Sequence, residues 1–352
     1  MKDSLKYILS LFIVSAFNVS VEAQDIHYSQ MYSTPLYFNP AFTGNHQCDY
    51  RAGVNYRQQA ASFTIPFTTY SAWGDTKVTP AFLRNRGWIG LGANLYYDNA
   101  GNGDLKKVQG MFFTAYSQGF NSDNSLYGSL GIGLGVTNRS VNKESLIYGD
   151  QWNTQMLGFN LDKISPDITN ITNPSIFYLD FNLGLSVHHY VNDKWLYEVG
   201  GSISHVNRPH ESFYPEYIEL DDGTILHNTN RVGMKYIVHG TAQHILSEML
   251  LLKPEVYFIA HEGVQETLLG SNLVYGYTDL RLVGGLWYRW GRDIIPALGL
   301  EYSGFTMLFT YDINISEQRR ASNYQGGFEF SLVKRFCYRG STKRQPCKFL
   351  EF

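Results

Sequence analysis

The chain has 352 residues and a formal net charge of −3; 17% of its residues are charged, 44% hydrophobic and 15% aromatic. This balance offers no basic footprint for nucleic acid, and the charged fraction lies well below the roughly 25% of ordinary soluble domains. Past residue 23 there is no apolar run of about 18 residues, so no helix is expected to cross a membrane.

Lys2 and Lys6 precede an apolar stretch, Tyr7 to Val21, broken only by Ser and Asn. Val21-Glu22-Ala23 then sets small residues three and one before Gln24. That is the layout of a secretory signal cleaved after Ala23; the bland alternative is a buried amino-terminal helix. No Cys sits at the cut, so a lipid anchor is not indicated.

Residues 24–48 follow as an irregular segment placed at the periplasmic end. Asn39-Pro40 punctuates it, because proline fixes its own φ and pushes the preceding residue out of the helical region. Gly44 can take a positive φ.

From residue 49 the pattern has period two. In Phe177 to Val187, Phe177, Leu179, Phe181, Leu183, Leu185 and Val187 share one face. Tyr178, Asp180, Asn182, Gly184 and Ser186 share the other. The stretches 87–97 and 304–314 repeat it. Segments of about ten residues, apolar on one face and small or polar on the other, are the signature of membrane barrel strands. A soluble sandwich gives the same alternation in any one segment, so number and spacing decide.

Strands are predicted near 49–60, 67–79, 87–97, 105–119, 125–138, 176–190, 194–206, 231–246, 249–260, 264–275, 279–289, 293–301, 304–314 and 324–336. The fold class is therefore all-β, a transmembrane antiparallel β-barrel of about 14 strands, with 12–16 as the interval. The barrel occupies 49–336 and a tail 337–352. With both termini periplasmic, the long stretches 139–175, 207–230 and 315–323 fall outside and the tight turns inside, the usual asymmetry. Tyr96-Tyr97, Trp195, Tyr197, Trp287-Tyr288, Trp290 and Tyr302 suit aromatic girdles, or else ordinary core packing. A Lys at Leu183 should be costly, and one at Asn182 tolerated.

Three cysteines remain. Cys337 and Cys347 enclose a short loop and are expected to pair in an oxidising compartment; free thiols, or pairing with Cys48, are the alternatives. His188 falls on the polar face, where it can meet Asp180 or Lys253. No zinc spacing, nucleophile elbow, phosphate loop or dinucleotide fingerprint occurs. No cofactor, metal or catalytic residue is expected, and the chain reads as a non-enzyme.

The segment after the signal carries Tyr28-Ser29-Gln30, then Pro35, Tyr37 and Phe38, then Asn39-Pro40-Ala41-Phe42 and Gly44. It closely resembles the opening of the PorP/SprF family, type IX secretion and gliding membrane proteins of Bacteroidota. Arg51 and Asn55-Tyr56-Arg57-Gln58-Gln59 are similar to the family's next strand, although the family tends to have an Asn and a closing aromatic where Gln58 and Ala60 stand here. Gly284-Gly285-Leu286-Trp287-Tyr288-Arg289 and Tyr311-Asp312 are similar to its late strands. Pro346-Cys347 and Phe349 are similar to its frequent Cys-Pro ending, with the order altered.

The resemblance implies an outer-membrane barrel acting as scaffold or anchor. Its expected partners are membrane lipid, other secretion-machine proteins, and a secreted cargo or surface adhesin. A channel for small or hydrophobic solutes is the alternative. Tyr28, Ser29, Gln30, Pro35, Tyr37, Phe38, Asn39, Pro40, Phe42, Gly44 and Arg57 then have two readings. Either they order the barrel's entrance, or they dock a periplasmic partner.

Overall fold

The computed structural model describes residues 26–337, apart from the short stretches 63–64, 84–85, 102, 216, 220–224, 228–229 and 278–279. The predicted signal, 1–23, and Cys347 in the tail lie outside the described residues. Alternation along the chain closes into one barrel. In chain order its strands are β1 (Tyr50–Gln59), β2 (Phe67–Val78), β3 (Gly87–Ala100), β4 (Leu105–Gly119) and β5 (Leu126–Ser140). There follow β6 (Ser175–Asn192), β7 (Trp195–Ser204), β8 (Lys235–Ser247), β9 (Leu250–His261) and β10 (Val264–Tyr277). The last are β11 (Leu280–Arg289), β12 (Asp293–Tyr302), β13 (Phe305–Asn314) and β14 (Gln325–Phe336).

Each strand pairs antiparallel with the next, and β1 closes on β14 with Tyr50 opposite Phe336 and Gln59 opposite Gly327. Closure leaves no edge and satisfies the backbone without water, the condition for crossing a bilayer as strands. The expected fourteen strands are all present. Connections after even-numbered strands are mostly tight, as at Asp193-Lys194 and Ser303-Gly304. The longest connections follow β5 and β7, and each carries a small two-stranded ribbon, Trp152–Asn153 with Gly158–Phe159 and Tyr217–Glu219 with Ile225–His227. The barrel thus has a long-loop end and a short-turn end. In the β5–β6 connection, a hydrogen bond from Ser165 and then the Lys163 ammonium, 3.1 Å away, hold the Asp150 carboxyl below its usual range.

Outward faces are apolar. On β6, Phe181, Leu183 and Leu185 are exposed, while Asp180, Asn182 and Ser186 are buried in the lumen. Replacing Leu183 with Lys is expected to cost roughly 2–4 kcal/mol near the midplane, read as lost heat-modifiable gel mobility. Asn182 is not the tolerant control that alternation alone suggests. Its Oδ1 accepts from the His205 amide at 3.2 Å and its Nδ2 lies 3.4 Å from the Met111 sulfur, so a longer cation has no room. Thr241, which lines an open lumenal cleft beside Glu198 and Glu255, is the position where Lys should leave mobility unchanged.

Two girdle assignments are corrected. Tyr96 and Trp287 are 2% and 1% exposed and face the lumen, because alternation sets their side and the lumen here is filled. Tyr197, Trp290 and Tyr302 do face outward. The disulfide expectation is also corrected: Cys337 pairs with Cys48, Cα atoms 4.5 Å apart and 289 positions distant in sequence. Barrel closure sets Tyr50 against Phe336 and so delivers the two flanking cysteines to one another, which outweighs the proximity of Cys347 in sequence.

Candidate functional site

The lumen is occupied by the chain's own residues 26–49. They form a 3-10 turn at Met31–Ser33, a single helical turn at Pro35–Phe38 and a second 3-10 turn at Pro40–Phe42. Prolines open both of the latter turns, where a missing N–H costs nothing. Asn39 between them is extended, as a residue before proline should be, and its side chain accepts from Ala41 N at 2.9 Å. Gly44 has φ +71°, and its amide donates to Asp75 Oδ2 at 2.8 Å. The segment is irregular apart from these three short turns. Its placement at the periplasmic end does not, because the segment threads the length of the lumen.

At the long-loop end, Ser29 is the hub of a buried charge network. Its hydroxyl donates to Asp312 Oδ1 at 2.7 Å and accepts from Arg57 Nη1 at 2.7 Å and Arg289 Nη2 at 2.9 Å. Arg57 also reaches Glu329 at 3.0 Å and Asp312 Oδ2 at 2.7 Å. Arg289 bridges Asp293 at 2.7 Å, Asp312 at 3.1 Å and Glu266 at 3.2 Å. The Ser29 amide donates to Glu329 Oε2 at 2.7 Å, and Gln30 Nε2 donates to the Glu329 carbonyl at 3.0 Å. Ser331 donates to Gln30 Oε1. Buried ions persist only when paired and hydrogen-bonded. Here the neutral Ser-Gln pair completes the coordination of charges supplied by β1, β10, β11, β12, β13 and β14.

Further along, Trp73 Nε1 donates to the Ser33 carbonyl at 2.9 Å, and Asn55 Nδ2 to its hydroxyl at 2.9 Å. Tyr32 stacks on Trp287 with centroids 5.3 Å apart, and Tyr28 meets Tyr37 edge-on at 5.2 Å. Lys235 Nζ donates to the Tyr37 hydroxyl at 3.0 Å. Asn39 Nδ2 donates to the Leu185 carbonyl at 3.0 Å and meets His239 Nε2 at 3.1 Å. Phe42 lies against His239, 4.9 Å between centroids. The wall opposite is cut away to receive this backbone. A Cβ on Gly131 would overlap the Pro40–Ala41 peptide, and one on Gly184 would overlap the Asn39 carboxamide.

At the short-turn end, Arg51 holds Asp75 at 3.1 and 2.9 Å, and Asn45 Nδ2 meets His188 Nε2 at 3.0 Å. His188 stacks on Tyr127 and pairs with Glu198 at 3.0 Å. The expected contact with Asp180 is not made; Asp180 pairs with His205 at 2.9 Å instead.

All the singled-out residues, Tyr28, Ser29, Gln30, Pro35, Tyr37, Phe38, Asn39, Pro40, Phe42, Gly44 and Arg57, are therefore brought together inside the barrel, and all but Tyr37 and Phe42 are buried. They face strands, so the docking reading at Tyr37 and Phe38 is corrected to lumenal packing: aromatics that are costly in water are sheltered by the wall. Sequence reasoning missed Asp293, Glu266 and Glu329 as network members. The available signal was an isolated charge on the inward face, Glu329 lying between outward Phe328 and Phe330. Arg289 and Asp312 were visible only within family-like strands.

Solved structures of similar shape include a toluene transporter of Ralstonia pickettii, TbuX, with TM-score 0.52 and 9% identity over 86% of this chain and 94% of that one. A deltaS2S3 mutant of the monoaromatic hydrocarbon channel TodX gives TM-score 0.50 and 10% identity, over 86% and 94%. At such identities the likeness is one of fold. No curated protein matches the chain in sequence. The model of the type IX secretion system membrane protein family PorP/SprF matches residues 20–333, spanning both the lumenal segment and the strands that hold it, and the chain belongs to that family.

Proposed function

We propose that this protein is a non-enzymatic outer-membrane component of a type IX secretion or gliding machine. It acts as a plugged scaffold that anchors a secreted cargo, a surface adhesin or a periplasmic ring. Family membership supports the machine. The observation that carries the scaffold role is the lumenal segment, bound through paired charges and close backbone seats rather than left as a loose entrance. A filled lumen frees the two ends, and not the interior, to meet partners.

The competing reading is a channel for small or apolar solutes, favoured only by shared shape with a toluene transporter and a hydrocarbon channel. Two measurements separate them. Protein drawn from native membranes in mild detergent should carry other secretion-machine proteins with it, and protein in a planar bilayer should conduct little. Discrete openings, together with a clean preparation lacking partners, would defeat the scaffold.

A further inference from the structure

The direction of the lumenal thread has a topological result. Cys48 is bonded to Cys337 at the short-turn end, where β1 starts and β14 stops. Asn45 touches His188 near the close of β6 at the same end. Moving back along the chain, Asn39 reaches the middle of β6 and β7, and Ser29 reaches Arg57 and Asp312 at the far ends of β1 and β13. His27 Nδ1 pairs with Glu266 Oε2 at 3.1 Å, at the start of β10. Ile26 lines a mouth cavity of about 140 Å³ with Asp98, Lys107, Arg139, Glu211 and Glu262. All of those residues sit at the long-loop end: Arg139 and Glu211 at the two long connections, Asp98 and Lys107 beside the β3–β4 turn, and Glu262 in the β9–β10 turn. The thread thus runs antiparallel to β1 through the whole barrel.

We infer that the lumenal thread is led from the long-loop mouth, so that its leading residues, Ile26 and His27, are presented on the face opposite the Cys48–Cys337 bridge. Long loops face outward in barrels of this class, which makes that face the cell surface. Even strand parity sets the start of β1 and the end of β14 on one face, and the thread carries Ile26 to the other, because it turns back through the lumen. Ile26 then lies beside the β5–β6 and β7–β8 connections, next to Arg139 and Glu211, and belongs to the surface they offer to molecules outside the cell.

Single cysteines in full-length Cys347→Ser protein test this on intact cells, with a membrane-impermeant polyethylene-glycol maleimide and a gel shift as readout. Met156→Cys, on the exposed β5–β6 connection, reports the long-loop face; Asn192→Cys reports the short-turn face. Heat-modifiable mobility confirms that each protein is folded, and amino-terminal sequencing reads cleavage after Ala23 separately. I26C protein is expected to shift on intact cells to the same extent as M156C. A shift only after lysis, as for N192C, or no shift in either state, would overturn the inference.

Discussion

Replacing Arg57 with Ala is expected to destabilise the folded barrel by about 3–5 kcal/mol, the usual result of removing one partner from a buried ion pair. The arginine stands between Asp312 and Glu329, 2.7 and 3.0 Å away, and is itself 2% exposed. Its removal leaves two buried carboxylates short of a partner, with Arg289 the remaining guanidinium in contact with Asp312. Arg57→Lys keeps the charge but loses the fork that reaches both acids and Ser29 at once, so an intermediate loss is expected. Ser29→Ala should cost less, about 1–3 kcal/mol, through the unmet acceptor at Asp312. Urea titration in detergent, read by gel mobility, orders the three. An Arg57→Ala protein within about 1 kcal/mol of wild type would show that the network is not what holds the thread.

Gly131→Leu is expected to open the barrel rather than unfold it. Gly131 on β5 faces Gly184 on β6, and together they form the floor on which the Pro40–Ala41 peptide rests. The outer face of these strands, Leu130, Ile132, Leu183 and Leu185, is untouched by the change, so strand pairing and insertion should persist. The side chain has nowhere to go but into the thread, and backbone yields less readily than a side-chain tip. Overpacking of this kind costs about 1–3 kcal/mol or more. The cheapest relief is to lift residues 39–42 from their seat. Measurable conductance in planar bilayers is the expected result, with wild-type protein closed. A Gly131→Leu protein of wild-type stability that stays closed would refute the close seating.

Strand positions were legible because a barrel wall obeys one local rule, two faces and a period of two. The termini of most strands fall within one or two residues of expectation; β8 starts latest, at Lys235 rather than 231. Which side of the wall is wet was harder. Tyr96 and Trp287 have girdle chemistry, yet the filled lumen buries aromatics as a soluble core does. The site was legible as a motif and illegible as geometry. Tyr28-Ser29-Gln30 and Arg57 were both in view, but Ser29 meets Asp312 across 283 positions and its amide meets Glu329 across 300. Only the register of the closed barrel brings them together. The same closure explains why Cys48, distant in sequence from Cys337, is its partner.

The disulfide and the thread together make a lasso. Residues 48–337 become one covalent ring, and the segment ahead of Cys48 passes through the barrel that the ring itself forms. Tension applied at the amino-terminal end runs down the lumen to Cys48, where it divides between β1 and, through the sulfur bridge, β14. Both strands are then loaded along their lengths. Their hydrogen bonds on either side must shear together, which resists force far better than unzipping one strand from an edge. A molecule tethered to that end would pull on the whole wall at once.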